Sequence, residues 1–90
     1  MRLVIFGTGK LYQTFKKKIN REDKIIAFLD NDRKKTGKKM DDAYVFLPED
    51  IKLLNYDQII LVSQYARQMQ KQLLELGCNR EQIIHFAEYN

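Results

Sequence analysis

Tryptophan is absent from this 90-residue chain, and cysteine, histidine and proline occur once each. The solitary Cys78 excludes a disulfide framework and a cysteine-based metal cluster, and is read as the mark of a reducing, cytoplasmic compartment. The solitary His85 sits inside an apolar run with no serine or cysteine beside it in sequence, so no nucleophile–base pair is visible. No apolar run exceeds five residues, far below the ~20 that a membrane-spanning helix requires. Gly7 and Gly9 break the one apolar stretch near the N-terminus, and no secretory leader is read there. Repeats and low-complexity tracts are missing too. With no proton-transfer pair and no clustered metal-ligating side chains, the sequence assigns no catalytic residue and no metal ligand.

What is present suffices for one small domain. Hydrophobic residues make up 44% of the chain, enough for a core, and charged residues 31%. The net charge of +4 conceals a division. Residues 1–39 hold 12 Lys/Arg against 4 Asp/Glu, whereas residues 40–90 hold 4 against 8. A basic first half suits an anionic ligand or partner.

Five short apolar runs recur, at Leu3–Phe6, Ile25–Leu29, Ala43–Phe46, Ile59–Val62 and Ile83–Phe86. They are continuous rather than alternating and rich in Ile and Val, as strands are when both faces of a parallel sheet are covered. Between the first two, Leu11, Tyr12, Phe15 and Ile19 share a helical face while Lys16, Lys17 and Lys18 take the solvent. Between the last two, Ala66, Met69, Leu73 and Leu76 step by three and four, and Gly77 stands where a helix terminates. Pro48, Glu49 and Asp50 suit the first turn of a short helix through Leu54. The polar segment Asn31–Asp42 reads as a loop or frayed turn. The sum is an α/β domain, an open parallel sheet of about five strands in the order 3-2-1-4-5 with helices on both faces.

In that order the connections of the first and fourth strands leave in opposite directions, and ligands of open α/β sheets bind beyond their carboxyl ends. Gly7-Thr8-Gly9-Lys10 ends the first strand and opens the first helix. Glycines there allow a tight turn and let backbone N–H groups approach a phosphate, with the helix N-terminus, the Thr8 hydroxyl and the Lys10 charge in support. Asp30, with Asp32 as a second candidate, ends the second strand at the distance where nucleotide-binding units place a ribose-accepting carboxylate. Ser63 and Gln64 end the fourth strand and face the same crevice. The pattern departs from G-x-G-x-x-G at Tyr12, where the third glycine would lie, and this argues against a dinucleotide in the usual pose. It is not a Walker A loop either. The bland alternative is a structural turn followed by a loop aspartate.

Other residues read as structural. His85 has a structural or edge-exposed role, Cys78 after Gly77 is a small packing residue, and the runs Lys16–Lys18 and Arg33–Lys39 are solvated faces. These runs lack the exposed interleaved aromatics of a nucleic-acid binder, so no nucleic-acid partner is expected. A 2′-phosphate at Arg33-Lys34-Lys35 is disfavoured by Asp30 just upstream. Tyr44 and Tyr65 are candidate neighbours of the crevice.

The ordered set "VIFGTGKLY", "IIAFLDND", "VFLPEDI", "YDQIILVS" and "KQLLELGCNREQIIHF" resembles a small Rossmann-like module, across nearly all of residues 2–87. Such nucleotide- or nucleotide-sugar-binding modules stand at the N-terminus of bacterial surface-polysaccharide enzymes: sugar acyltransferases, nucleotide-sugar dehydratases, and some glycosyltransferases and methyltransferases. The resemblance implies binding of a UDP-sugar or related nucleotide, with Gly7, Thr8, Gly9, Asp30 and Asn31 near it. Catalysis, such as group transfer, would belong to a following domain beyond residues 1–90. Two competing readings are a ligand-free scaffold for homo-oligomerisation or interdomain contact, and the NAD(P)-binding half of an oxidoreductase.

Overall fold

The computed structural model describes all residues from Met1 to Asn90. Six strands form its sheet: β1 Arg2–Phe6, β2 Lys24–Leu29, β3 Lys39–Met40, β4 Ala43–Phe46, β5 Gln58–Leu61 and β6 Ile83–His85. Their spatial order is β3-β4-β2-β1-β5-β6. Every pairing from β4 through β6 is parallel. Those five strands are the expected apolar runs in the expected 3-2-1-4-5 order.

The sixth strand corrects the reading of residues 31–42 as a loop. Lys39–Met40 pairs antiparallel with Ala43–Tyr44, so the sheet is mixed at that edge. Asp41 and Asp42 join the two strands with φ of 45° and 69°. Positive φ at both residues of a two-residue hairpin loop is the primed turn that matches strand twist, and aspartate tolerates it better than most side chains.

Continuous apolar strands fill both faces because each face has its own cover. On one side Leu3, Ile5, Phe28, Ala43, Val45, Ile60 and Val62 pack with Tyr12 and Phe15 of α1, Lys10–Phe15. On the other, Val4, Phe6, Ala27, Leu29, Ile59, Leu61 and Ile83 pack with Ala66 and Leu73 of α2, Ala66–Glu75, and with Ile51. Alternate residues of one strand therefore serve two cores, as period-two geometry demands.

Helix ends follow local chemistry. Gly77 has φ of 92°, its N–H reaches Leu74 O, and the Cys78 N–H reaches Leu73 O, both at 3.0 Å. This is the paired Schellman closure, and the half-buried Cys78 packs on the same core as Leu73. The first helix is shorter than its apolar face implies. It ends at Phe15 and tightens into a 3₁₀ turn over Lys16–Lys18, while Ile19 still packs on the core. Pro48–Leu53 is likewise a 3₁₀ segment, with Pro48 at its start.

Opposite the carboxyl ends of the strands, Asp23 gathers the chain ends. Its side chain, 5% exposed, accepts from the Met1 ammonium at 2.8 Å and from the Tyr89 hydroxyl at 2.6 Å. The ammonium first, and then the hydroxyl, hold the Asp23 carboxyl below the usual carboxylate range. A depressed folded-state value contributes stability that is present at neutral pH and lost as pH falls from about 4 through the depressed value. In acid titrations followed by circular dichroism, Asp23→Asn is expected to lose less stability than the parent across that interval. Identical acid limbs would remove Asp23 from the response.

Candidate functional site

β1, β2 and β5 end at one rim of the sheet, and a cleft of ≈ 600 Å³ opens there. Gly7 through Leu11, Asp30, Ser63 and Gln64 line it, which brings the two candidate turns and the second-strand carboxylate together. Gly7 makes the convergence possible. Its φ is 122°, and a Cβ at this position would lie 2.2 Å from the Val62 carbonyl oxygen. The ends of β1 and β5 approach too closely for any side chain.

Gly9 has a different task. Its backbone is ordinary, with φ of −91°, and a Cβ there would meet nothing within 4 Å. The backbone at this point faces open space. Among the turn residues, the N–H groups of Thr8, Gly9, Lys10 and Leu11 donate to no protein acceptor, and the first bond of the helix runs from the Tyr12 N–H to Gly9 O. With only six residues in α1, the expected contribution of a helix macrodipole shrinks to that of these local N–H dipoles.

A polar triad closes the opposite wall. The Thr8 hydroxyl donates to Asp30 Oδ2, and Lys35 Nζ donates to Thr8 Oγ1 at 3.0 Å while lying 3.6 Å from Asp30 Oδ2. Asp30 Oδ1 accepts from the Asp32 N–H at 2.8 Å. The carboxylate thus faces the glycine turn, held there by three partners. Lys35 is the member that sequence reasoning placed on a solvated face. A signal existed in the basic run after the second strand, but which of its lysines turns inward depends on the 3₁₀ turn over Arg33–Lys35.

The remaining candidates divide. Lys10 lines the cleft, and Ser63 lines it with its hydroxyl accepting from the Tyr65 N–H at 2.9 Å. Tyr65 lies at the mouth, 59% exposed, whereas Tyr44 stands on β4 away from the cleft. Asp32 does not reach the cleft, because its carboxylate caps the 3₁₀ turn by accepting from the Lys34 N–H at 3.0 Å. Asn31 turns to an adjoining hollow of ≈ 260 Å³ and exchanges two amide hydrogen bonds with Gln72, at 3.1 and 2.9 Å. His85 Nδ1 accepts from the Ala87 N–H in a capping box with Glu88.

Tyr12, the departure from the glycine pattern, leaves the cleft free. Its ring is 1% exposed and packs edge-on against Phe28, with centroids 5.0 Å apart. Its hydroxyl donates to Asp41 at 2.9 Å, and Lys16 lies 3.3 Å from the same carboxylate. These two, Tyr12 first, lower the Asp41 pKa, and burial together with Asp41 raises that of Tyr12. The ring ties α1 to the β3–β4 hairpin instead of entering the cleft.

The profile of the C2185-like N-terminal family matches residues 1–84. The chain belongs to that family. No curated protein sequence matches this C2185-like domain. Among solved structures, it is similar to UDP-D-quinovosamine 4-dehydrogenase from Vibrio fischeri, with 22% identity and a TM-score of 0.69 over 93% of this chain and 75% of that one. It is also similar to RSP, a Rex-family repressor, with 19% identity and a TM-score of 0.61 over 93% of this chain and 50% of that one. RSP in complex with β-NADH gives 19% identity and a TM-score of 0.60 over 93% and 51%. The C2185-like chain spans about half the length of RSP. At these identities the likeness is one of fold, and the fold is Rossmann-like. No helix of the domain is long and apolar enough to cross a membrane.

Proposed function

We propose that this C2185-like domain is a non-catalytic nucleotide-binding module, and that its ligand is a nucleotide-sugar. The observation that carries the reading is the row of partnerless N–H groups from Thr8 to Leu11, exposed beside an open Gly9 at the rim of a parallel sheet. Such a row satisfies phosphate oxygens, and Lys10 and Lys35 add positive charge on the same cleft. Asp30, at the end of β2, accepts ribose hydroxyls once Lys35 turns from it to the phosphates. Gly7 shapes the turn, Thr8 relays between Lys35 and Asp30, and Ser63 and Gln64 bound the far side. Asn31 borders the ligand from the smaller hollow.

The resemblance to surface-polysaccharide modules, together with the nucleotide-sugar enzyme among the structural neighbours, supports a place in bacterial cell-surface glycan biosynthesis. In this reading the 90-residue domain presents the nucleotide-sugar to a C-terminal catalytic domain, and a homo-oligomer would bring several such sites together. The whole assembly works in the cytoplasm, where nucleotide-sugars are consumed.

Calorimetric titration with UDP, UDP-sugars, NAD, NADH and AMP tests the reading. Binding of UDP or a UDP-sugar is expected, and Gly9→Ala is expected to weaken it at least tenfold. The same substitution is expected to cost at most ~1 kcal/mol, because its Cβ projects into open space and the loss is that of glycine at a helix N-cap. A marked preference for NAD or NADH would favour the oxidoreductase reading. No heat with any ligand, with a dimer on sizing, would favour the scaffold.

A further inference from the structure

A second hollow of ≈ 370 Å³ lies at the carboxyl ends of β5 and β6, on the far side of the phosphate cleft from Asn31. Gln64 borders both the cleft and this hollow, so the two adjoin at one side chain. Nothing in the nucleotide reading uses it. From its chemistry, the geometry points to a subsite for the sugar of the nucleotide-sugar, an inference that rests on the proposed function.

A pyranose is amphipathic, with an apolar C–H face and a rim of hydroxyls that both donate and accept. The hollow has the same division. Its apolar portion is Leu61, Ala66 and Ile83, carried by the sheet and the first residue of α2. Its polar portion is Arg67, Gln70, His85 and Glu88, with Gln64 at the junction. These groups retain free hydrogen-bonding capacity. Arg67 has no acidic partner within salt-bridge distance. His85 is held by the Ala87 N–H on Nδ1, which leaves Nε2 as the donor of the neutral ring. Glu88 commits Oε1 to the His85 N–H and keeps Oε2.

Donors, an acceptor and two amides around an apolar floor match a polyhydroxylated ligand. No aromatic side chain other than His85 lines the hollow as a platform for a planar base. The position agrees as well. A diphosphate seated on the turn from Thr8 to Leu11 has the ribose-directed Asp30 to one side, so its other end runs past Gln64 toward Arg67 and His85.

Isothermal titration of the 90-residue chain with UDP, UDP-glucose, UDP-N-acetylglucosamine and UDP-glucuronic acid tests this. At least one UDP-sugar is expected to bind about tenfold more tightly than UDP. Arg67→Ala and Gln70→Ala, neither of them a buried core residue, are expected to bring that ratio close to one without moving the affinity for UDP. Circular dichroism confirms that each variant is folded before its ratio is read. UDP binding with no gain from any sugar would overturn the subsite and leave the nucleotide reading standing. A gain that survives in both variants would overturn it equally. Failure of the parent chain to bind UDP and every UDP-sugar would sink the nucleotide reading, and the subsite with it.

Discussion

Gly7→Ala is expected to cost the domain about 2–6 kcal/mol, a large part of what a chain of this size has. Two penalties combine. An L-residue at φ of 122° is strained by ~1–3 kcal/mol, and a methyl group driven into packed structure adds a comparable ~1–3 kcal/mol. The obstacle is backbone, since the new Cβ would sit 2.2 Å from the Val62 carbonyl oxygen, and no rotamer change can remove it. Relief requires β1 and β5 to separate at their carboxyl ends, where the Val62 N–H bonds to Phe6 O at 2.9 Å. Thermal unfolding is expected to show a midpoint at least ~8 °C lower, given roughly 4–8 °C per kcal/mol in domains of this length. A midpoint within ~2 °C of the parent would mean that the glycine is not held by this close approach. Set beside the mild Gly9→Ala, the result would separate two glycines that look alike in sequence.

Tyr12→Gly completes the G-x-G-x-x-G pattern, and the expected outcome is damage rather than repair. Removing a buried aromatic ring from a core costs ~3–5 kcal/mol, and glycine within a helix adds ~1 kcal/mol. The ring fills the space between α1 and Phe28, and its hydroxyl is one of the ties between α1 and the hairpin turn at Asp41. Tyr12→Phe isolates that tie and is expected to cost ~1.5–3 kcal/mol, the range for a hydrogen bond to a charged acceptor. Denaturant titrations of the two variants check both figures. If Tyr12→Gly unfolded no more easily than Tyr12→Phe, the ring would be doing no packing. Dinucleotide affinity is not expected to appear in Tyr12→Gly, because the tyrosine does not occupy the cleft.

The strands were legible because their reason is local. Continuous Ile- and Val-rich runs need cover on both faces, and only a parallel sheet between helices supplies it. The helix ends at Gly77 and Pro48 were legible for the same reason, since each rests on the backbone freedom of one residue. The β3–β4 hairpin was not. Asp41-Asp42 carries none of the glycine that usually marks such a turn, and Asp41 is held by Tyr12 of α1 and by Lys16 of the 3₁₀ turn that follows it, contacts no local pattern encodes. The candidate site divides in the same way. Gly7, Thr8, Gly9 and Asp30 meet because strand order dictates it. The inward turn of Lys35 and the outward turn of Asp32 depend on one 3₁₀ turn after β2.

From its amino acids alone, this chain determines a covered parallel sheet and the rim at which its first turn and its second-strand carboxylate must meet. Patterns of burial and backbone freedom act over a few residues, so they can be read in order along the chain. The tertiary structure decided which side chains face that rim and which brace the scaffold: Tyr12 buried against Phe28, Lys35 beside Asp30, and His85 and Arg67 around a neighbouring hollow. Those choices come from contacts between residues distant in sequence, and they exist only after the sheet has closed.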